Sequence, residues 1–165
     1  MDGSGESGCY RAPSAPTEMR PMRRPPPATR AEYRFFHQIT TRWMDNDVFR
    51  HVNNVNYFSF FDTAVTYWEL AEGGVDLVDG DVHCVVAEVQ CRYHASVAFP
   101  DLITVGLRVA KLGTSSVRYE LAIFRNDEDV ASAEGHFVHV FVARGVQTPV
   151  PIPAITRTRL AALAV

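Results

Sequence analysis

From Tyr33 to Thr41 apolar and polar side chains alternate, with Tyr33, Phe35, His37, Ile39 and Thr41 on one side and Arg34, Phe36, Gln38, Thr40 and Arg42 on the other. This is the period-2 pattern of a half-buried strand. After a polar turn, Asp45-Asn46-Asp47, the period changes: Tyr57, Phe61, Ala64, Trp68 and Ala71 recur at helical spacing, broadened by Phe58, Phe60 and Val65. Only a narrow polar face remains, of Asn56, Ser59, Thr63 and Thr66. A helix apolar around most of its girth needs cover on most sides, and Gly73-Gly74 is placed to end it in a glycine C-cap. The rest reads as strands: Val82 to Phe99, stopped at Pro100-Asp101; Leu102 to Leu112; Ser116 to Phe124 after the Gly113-Thr114 turn; and Val130 to Val142 after Asn126-Asp127-Glu128-Asp129. Short links between successive strands predict antiparallel hairpins. The whole pattern predicts an α+β domain, one helix against a five-stranded antiparallel sheet.

The two ends differ from this body. Residues 1–30 hold six of the ten prolines, with Gly and Ser early and Arg23-Arg24 late, and predict a disordered tail. The domain is expected over 31–145, followed by a proline-punctuated extension, 146–165, in which Arg157 to Leu163 forms a last helical turn. A net charge of −3 argues against a nucleic-acid partner, which needs clustered Lys and Arg. Cys9, Cys84 and Cys91 form no CxxC pair, and an odd count leaves a thiol free, as in a reducing compartment. Seven residues apart in one strand, Cys84 and Cys91 are expected on opposite faces. No apolar run is long enough to span a bilayer and no secretory signal core stands at the N-terminus, so the expected location is the cytoplasm.

The chemistry-bearing stretch is Arg42 to Asp62, RWMDNDVFRHVNNVNYFSFFD, an acidic turn running into the aromatic helix. A calcium loop is excluded because counting from Asp45 places Arg50, not glycine, at its sixth position. Asp47 and His51 alone are too few ligands for a metal. His136 and His139, an odd number of residues apart on the last strand, face opposite ways, so no metal is expected. No G-x-S-x-G marks a serine hydrolase. Asp47 and His51 are four apart with no proline between them, which departs from a D-x-N-P-x-H hydratase pattern.

Trp43-x-Asp45-x-Asp47 followed by His51-Val52-Asn53-Asn54-x-x-Tyr57 resembles the signature of the 4-hydroxybenzoyl-CoA thioesterase family of hotdog-fold enzymes. It is especially similar to the bacterial long-chain acyl-CoA thioesterases and their acyl-carrier-protein relatives, which share the HVNN-x-x-Y run. The likeness extends over roughly Tyr33 to Val142, with Tyr93, Pro100-Asp101 and Ser116 falling where the family has them. The resemblance implies a curved sheet wrapped around a central helix, in a homodimer or homotetramer with active sites at the subunit interface. It implies Asp47 as the catalytic carboxylate and the Asn54 backbone N–H as the group that polarises the thioester carbonyl. Coenzyme A then enters as part of the substrate, and no cofactor is expected.

That assignment makes chemical sense. A thioester needs a nucleophile or base and a stabiliser for the developing oxyanion, and helix N-termini offer unpaired N–H groups and partial positive charge. Asp47 either attacks the carbonyl to give a mixed anhydride or activates a water; the residues leave both open. Asp45 reads as a structural turn former, and Trp43 and Tyr57 as core with a pocket-lining option. His51 orients Asp47 or satisfies the loop, while Asn53 caps the helix or meets substrate. Arg50 stands where many relatives have glycine, and with Lys111 and Arg118 it is a candidate for the phosphates of coenzyme A. Ser116 is a further substrate-binding candidate. Two other activities stay open: hydrolysis of acyl groups on carrier protein, and acyl-CoA binding without turnover.

Overall fold

The computed structural model describes residues 25–76 and 78–165. Strands β1 (Phe35–Thr40), β2 (Val82–Tyr93), β3 (Leu102–Leu112), β4 (Ser116–Arg125) and β5 (Ala133–Ala143) form one antiparallel sheet in the order β1-β3-β4-β5-β2. Helix α1 (Asn54–Trp68) packs on its inner face, and α2 (Ala154–Ala162) closes one end. The α+β plan and the five strands match the sequence pattern. One adjacency does not: β2 pairs with β5 at the sheet edge, and β3 pairs with β1 and β4. The link over 94–101 is too long for a tight hairpin. It runs across the strand ends instead, held where the His94 and Ala95 N–H groups donate to the Ser132 carbonyl at 2.8 and 2.9 Å.

Alternation explains the core. Ile103, Val105, Leu107 and Val109 of β3, Val117, Tyr119, Leu121 and Ile123 of β4, and Phe137 and Phe141 of β5 are buried against Tyr57, Phe61, Ala64, Val65 and Trp68 of α1. Gly135 lies on this face because the helix comes too close for a side chain. A Cβ there would overlap the Gln90 carbonyl oxygen and sit 2.8 Å from the Phe61 ring. Gly135→Ala should therefore lower the unfolding free energy by about 3 kcal/mol, at the upper end for overpacked cores. Urea denaturation reads this out, and an unchanged midpoint would mean the helix does not seat against β5 as described.

Three departures from simple periodicity have local causes. A β-bulge between Val86 and Glu88 resets the parity of β2, so Cys84 and Cys91 both face the core, contrary to the expected opposite faces. Tyr33 precedes β1 behind a 3-10 turn at Arg30–Glu32, and it packs not beside Phe35 but on the outer face, edge-on to Phe124 at 5.7 Å. There Ala28, Ala122, Phe124 and Ala131 complete a second small core. The proline-rich segment 1–24 lies outside the described residues. From Ala28 onward the chain is docked, its carbonyl accepting the Ala131 N–H at 2.9 Å.

The third departure ends α1. The helix widens into a π-turn, Glu69–Gly73, which closes on left-handed Gly74 at φ +69°. The extra residue in that turn rotates Glu69 inward and leaves Ala71, which extends the apolar stripe in sequence, exposed. Among the described residues, no helix is long and apolar enough to cross a membrane.

Candidate active site

The acidic turn folds on its own hydrogen bonds. Trp43–Asp45 is a 3-10 turn in which the buried Asp45 carboxylate accepts the Arg42 N–H at 2.6 Å and the Arg42 guanidinium at 2.7 Å. Burial alone would raise this carboxyl, but the Arg42 contacts outweigh it and hold the group below the usual carboxylate range. The Asp45 carbonyl accepts the Asn53 N–H at 2.8 Å and the Asn56 Nδ2 at 2.9 Å, which ties the turn to the start of α1. Asp45 is thus a structural anchor.

A folded-state pKa below the unfolded one means that this contribution is complete above the unfolded value, about 4, and is lost as pH falls through the folded value. Asp45→Asn should cost about 1–2 kcal/mol at neutral pH, moderated by the exposure of Arg42. The gap between wild type and variant in urea titrations should narrow towards pH 3. A gap independent of pH would rule out the Arg42 pairing as its source.

Asp47 sits in a tighter loop. Its N–H donates to the His51 carbonyl at 2.9 Å, its carbonyl accepts the Arg50 N–H at 3.1 Å, and its Oδ1 accepts the Phe49 N–H at 2.8 Å. Arg50 pays for this closure with a left-handed backbone, φ +68°, the conformation that glycine adopts without strain. Asn53 then caps α1, its Oδ1 accepting the Val55 N–H at 3.1 Å and its carbonyl the Asn56 N–H at 2.9 Å. Just ahead of those two donors, the Asn54 N–H has no protein partner among the described residues.

Asp47, His51, Asn54 and Tyr57 line one cavity of about 600 Å³. Asp47 also borders a neighbouring hollow of about 460 Å³ with Trp43, Asn46, Arg50 and Phe99. Tyr57 is buried and meets Tyr93 edge-on at 5.0 Å, and the Tyr93 hydroxyl donates to the Asn54 carbonyl at 3.1 Å. Burial, together with Cys91, pushes the Tyr93 phenol up to about 12, so it stays a donor at neutral pH. The cavity also holds His94, whose Nε2 lies 2.7 Å from the Glu134 carboxylate.

His94 was not foreseeable. It comes from the end of β2, and only the crossing link brings it to α1; no local spacing signals that.

Other expectations fall elsewhere. Trp43 is not core: it is 77% exposed and stacks edge-on to Phe99 at 6.0 Å. Ser116 begins β4, at the opposite end of the sheet from the cavity, so one chain does not bring it to Asp47. Arg118 is engaged on the outer face with His136 at 2.9 Å, and Lys111 lies across from it in the β3–β4 ladder. A polar hollow among Arg92, Arg108, Arg118 and Glu134 also lies on that outer face, away from Asp47.

A long helix laid in a five-stranded antiparallel sheet, with a carboxylate at its N-terminus, defines a hotdog-fold protein. The family model for the thioesterase superfamily matches residues 49–132, and the chain belongs to that superfamily. It is 51% identical to the PA5185 protein of Pseudomonas aeruginosa, with a TM-score of 0.82 over 84% of this chain and 97% of that one. Two more distant structures share the fold. A 1,4-dihydroxy-2-naphthoyl-CoA thioesterase from Synechocystis is 16% identical, with a TM-score of 0.70 over 77% of this chain and 95% of that one. The SAV2348 protein of Staphylococcus aureus, solved in complex with CoA, is 17% identical, with a TM-score of 0.71 over 77% of this chain and 81% of that one. No curated protein matches.

Proposed function

We propose that this protein is an acyl-CoA thioesterase, converting an acyl thioester and water to the free acid and coenzyme A. One observation carries the reading: Asp47 and Asn54, whose N–H has no partner among the described residues, line the same cavity. The N–H at the positive end of α1 receives the carbonyl oxygen as negative charge builds on it. Asp47 either attacks the carbonyl carbon, forming a mixed anhydride that water then opens, or removes a proton from the attacking water. Both routes expel the thiolate and need the same two groups. The CoA complex on the same fold supports a CoA ester, and the HVNN-x-x-Y run supports the long-chain branch.

The surroundings of Asp47 support a second subunit there. Trp43, Met44, Val48 and Phe49 are all more than 70% exposed in the single chain, an apolar cluster of the kind that marks an interface. The homodimer that covers it would complete the site, and two such dimers would give the tetramer.

Thiol release from a panel of acyl-CoAs, compared with the same acyl groups on carrier protein, tests the reading. Release from CoA esters supports it, a preference for carrier protein favours the alternative substrate, and binding without release makes the protein an acyl-CoA binder. Arg50 gives a finer test. Arg50→Gly relieves the left-handed backbone and leaves Asp47 in place, so a raised KM for CoA esters with unchanged kcat would locate a phosphate contact. An unchanged KM would leave Arg50 as surface charge.

A further inference from the structure

Deep in the inner face of the sheet, away from the Asp47 cavity, three side chains with metal-ligating atoms meet. Glu69 opens the π-turn after α1, Cys84 lies on β2 and His139 on β5, and one ligand atom of each lies within 4.8 Å of the others. His139 Nδ1 is 3.0 Å from Glu69 Oε1, and the Tyr119 hydroxyl donates to the same oxygen at 3.1 Å. The side chains of His139 and Glu69 are 5% and 3% exposed. His136 points the other way, to Glu88 on the outer face, so it takes no part.

Hydrogen bonding accounts for Glu69 Oε1 but not for the whole cluster. His139 Nε2 is buried with no partner among the described residues, and a buried polar atom without a partner is unusual enough to call for a reason. The π-turn that aims Glu69 inward is a second departure from regular structure at the same place, and such turns recur at functional sites. We infer that Glu69, Cys84 and His139 form a binding site for a divalent cation of the zinc class. A thiolate, an imidazole and a carboxylate suit zinc or cobalt, whereas calcium and magnesium take oxygen alone.

Ligand bonds of roughly 2.0–2.3 Å set tetrahedral edges of about 3.5 Å, so donors lying within 4.8 Å of one another close by at most about 1.3 Å. On binding, the Cys84 S–H bond breaks, a sulfur–metal bond forms and the proton leaves to solvent, with no change of oxidation state. The imidazole keeps one proton on the nitrogen that does not ligate. Cys84 is only half-buried and β2 is an edge strand, which gives the cation a way in. Glu69, Cys84 and His139 are far apart in the chain, so no local spacing marks them as a cluster and no metal is expected from the sequence.

Cobalt(II) added to the full chain tests this directly and independently of thioester hydrolysis. One equivalent per chain should give a thiolate-to-cobalt charge-transfer band and the visible bands of tetrahedral cobalt, and zinc should displace both. The bands should persist when Cys9 and Cys91 are both replaced by serine, which leaves Cys84 as the remaining thiol. They should disappear in Cys84→Ala, with zinc binding weakened at least roughly 100-fold, since even losses outside the first coordination shell approach that. Absence of the thiolate band in the wild type, or its loss in the double serine variant, would overturn the site without requiring Cys84→Ala to fold.

Discussion

Replacing Asp47 by alanine should lower the rate of thiol release from acyl-CoA by roughly 10²–10⁴-fold, the range for loss of a positioned base, and by no less if the carboxylate is the nucleophile. The fold should survive, because Asp47 is half-buried and its loop is also closed by backbone bonds to His51 and Arg50. Asp47→Asn is the sharper variant. Its amide oxygen can still accept the Phe49 N–H that Oδ1 accepts now, so it removes the charge and keeps the turn. An Asn variant retaining more than roughly a tenth of the wild-type rate would sink the carboxylate mechanism, since that loss is below what general-base catalysis contributes. Asn54→Ala supplies the matching control: only its backbone N–H is assigned to the oxyanion, so activity should largely persist. A large loss there would move the role to the side chain.

Why the position of Asp47 beside the helix start was legible from sequence, and that of His94 was not, follows from distance along the chain. Asp47, Asn53 and Asn54 lie within one turn and one helix start, where local hydrogen-bonding rules fix their relations. Strands β3 and β4 and helix α1 were legible because one face of each is almost wholly apolar. The parity argument for Cys84 and Cys91 failed at a bulge, which leaves no mark in a stretch rich in Val. Trp43 misled for a different reason. An aromatic beside an acidic turn reads as core, yet in the single chain it stands exposed with Phe99. The adjacency of β2 to β5 depends on where the 94–101 link goes, and only packing of the whole sheet decides that.

Glu69 is the residue that periodicity hid most completely, because it falls outside the apolar stripe and an acid near a helix end looks like a solvated position. Its burial makes it the site of the largest stability change expected. Glu69→Ala should cost about 3–5 kcal/mol, the range for removing one partner of a buried polar pair, because it strands the Tyr119 hydroxyl and His139 Nδ1 in an apolar core. Glu69→Gln should cost less, since an amide oxygen can still accept from Tyr119. Both should be measured by urea denaturation with a chelator present, because a cation that binds only the folded chain would add its own stabilisation to the wild type. A loss below roughly 1 kcal/mol for Glu69→Ala, typical of an exposed substitution, would show that the π-turn does not deliver Glu69 to the core. If the full loss appears under chelation and grows further when zinc is restored, the hydrogen-bonded cluster and the cation would be separate contributions of the same three side chains.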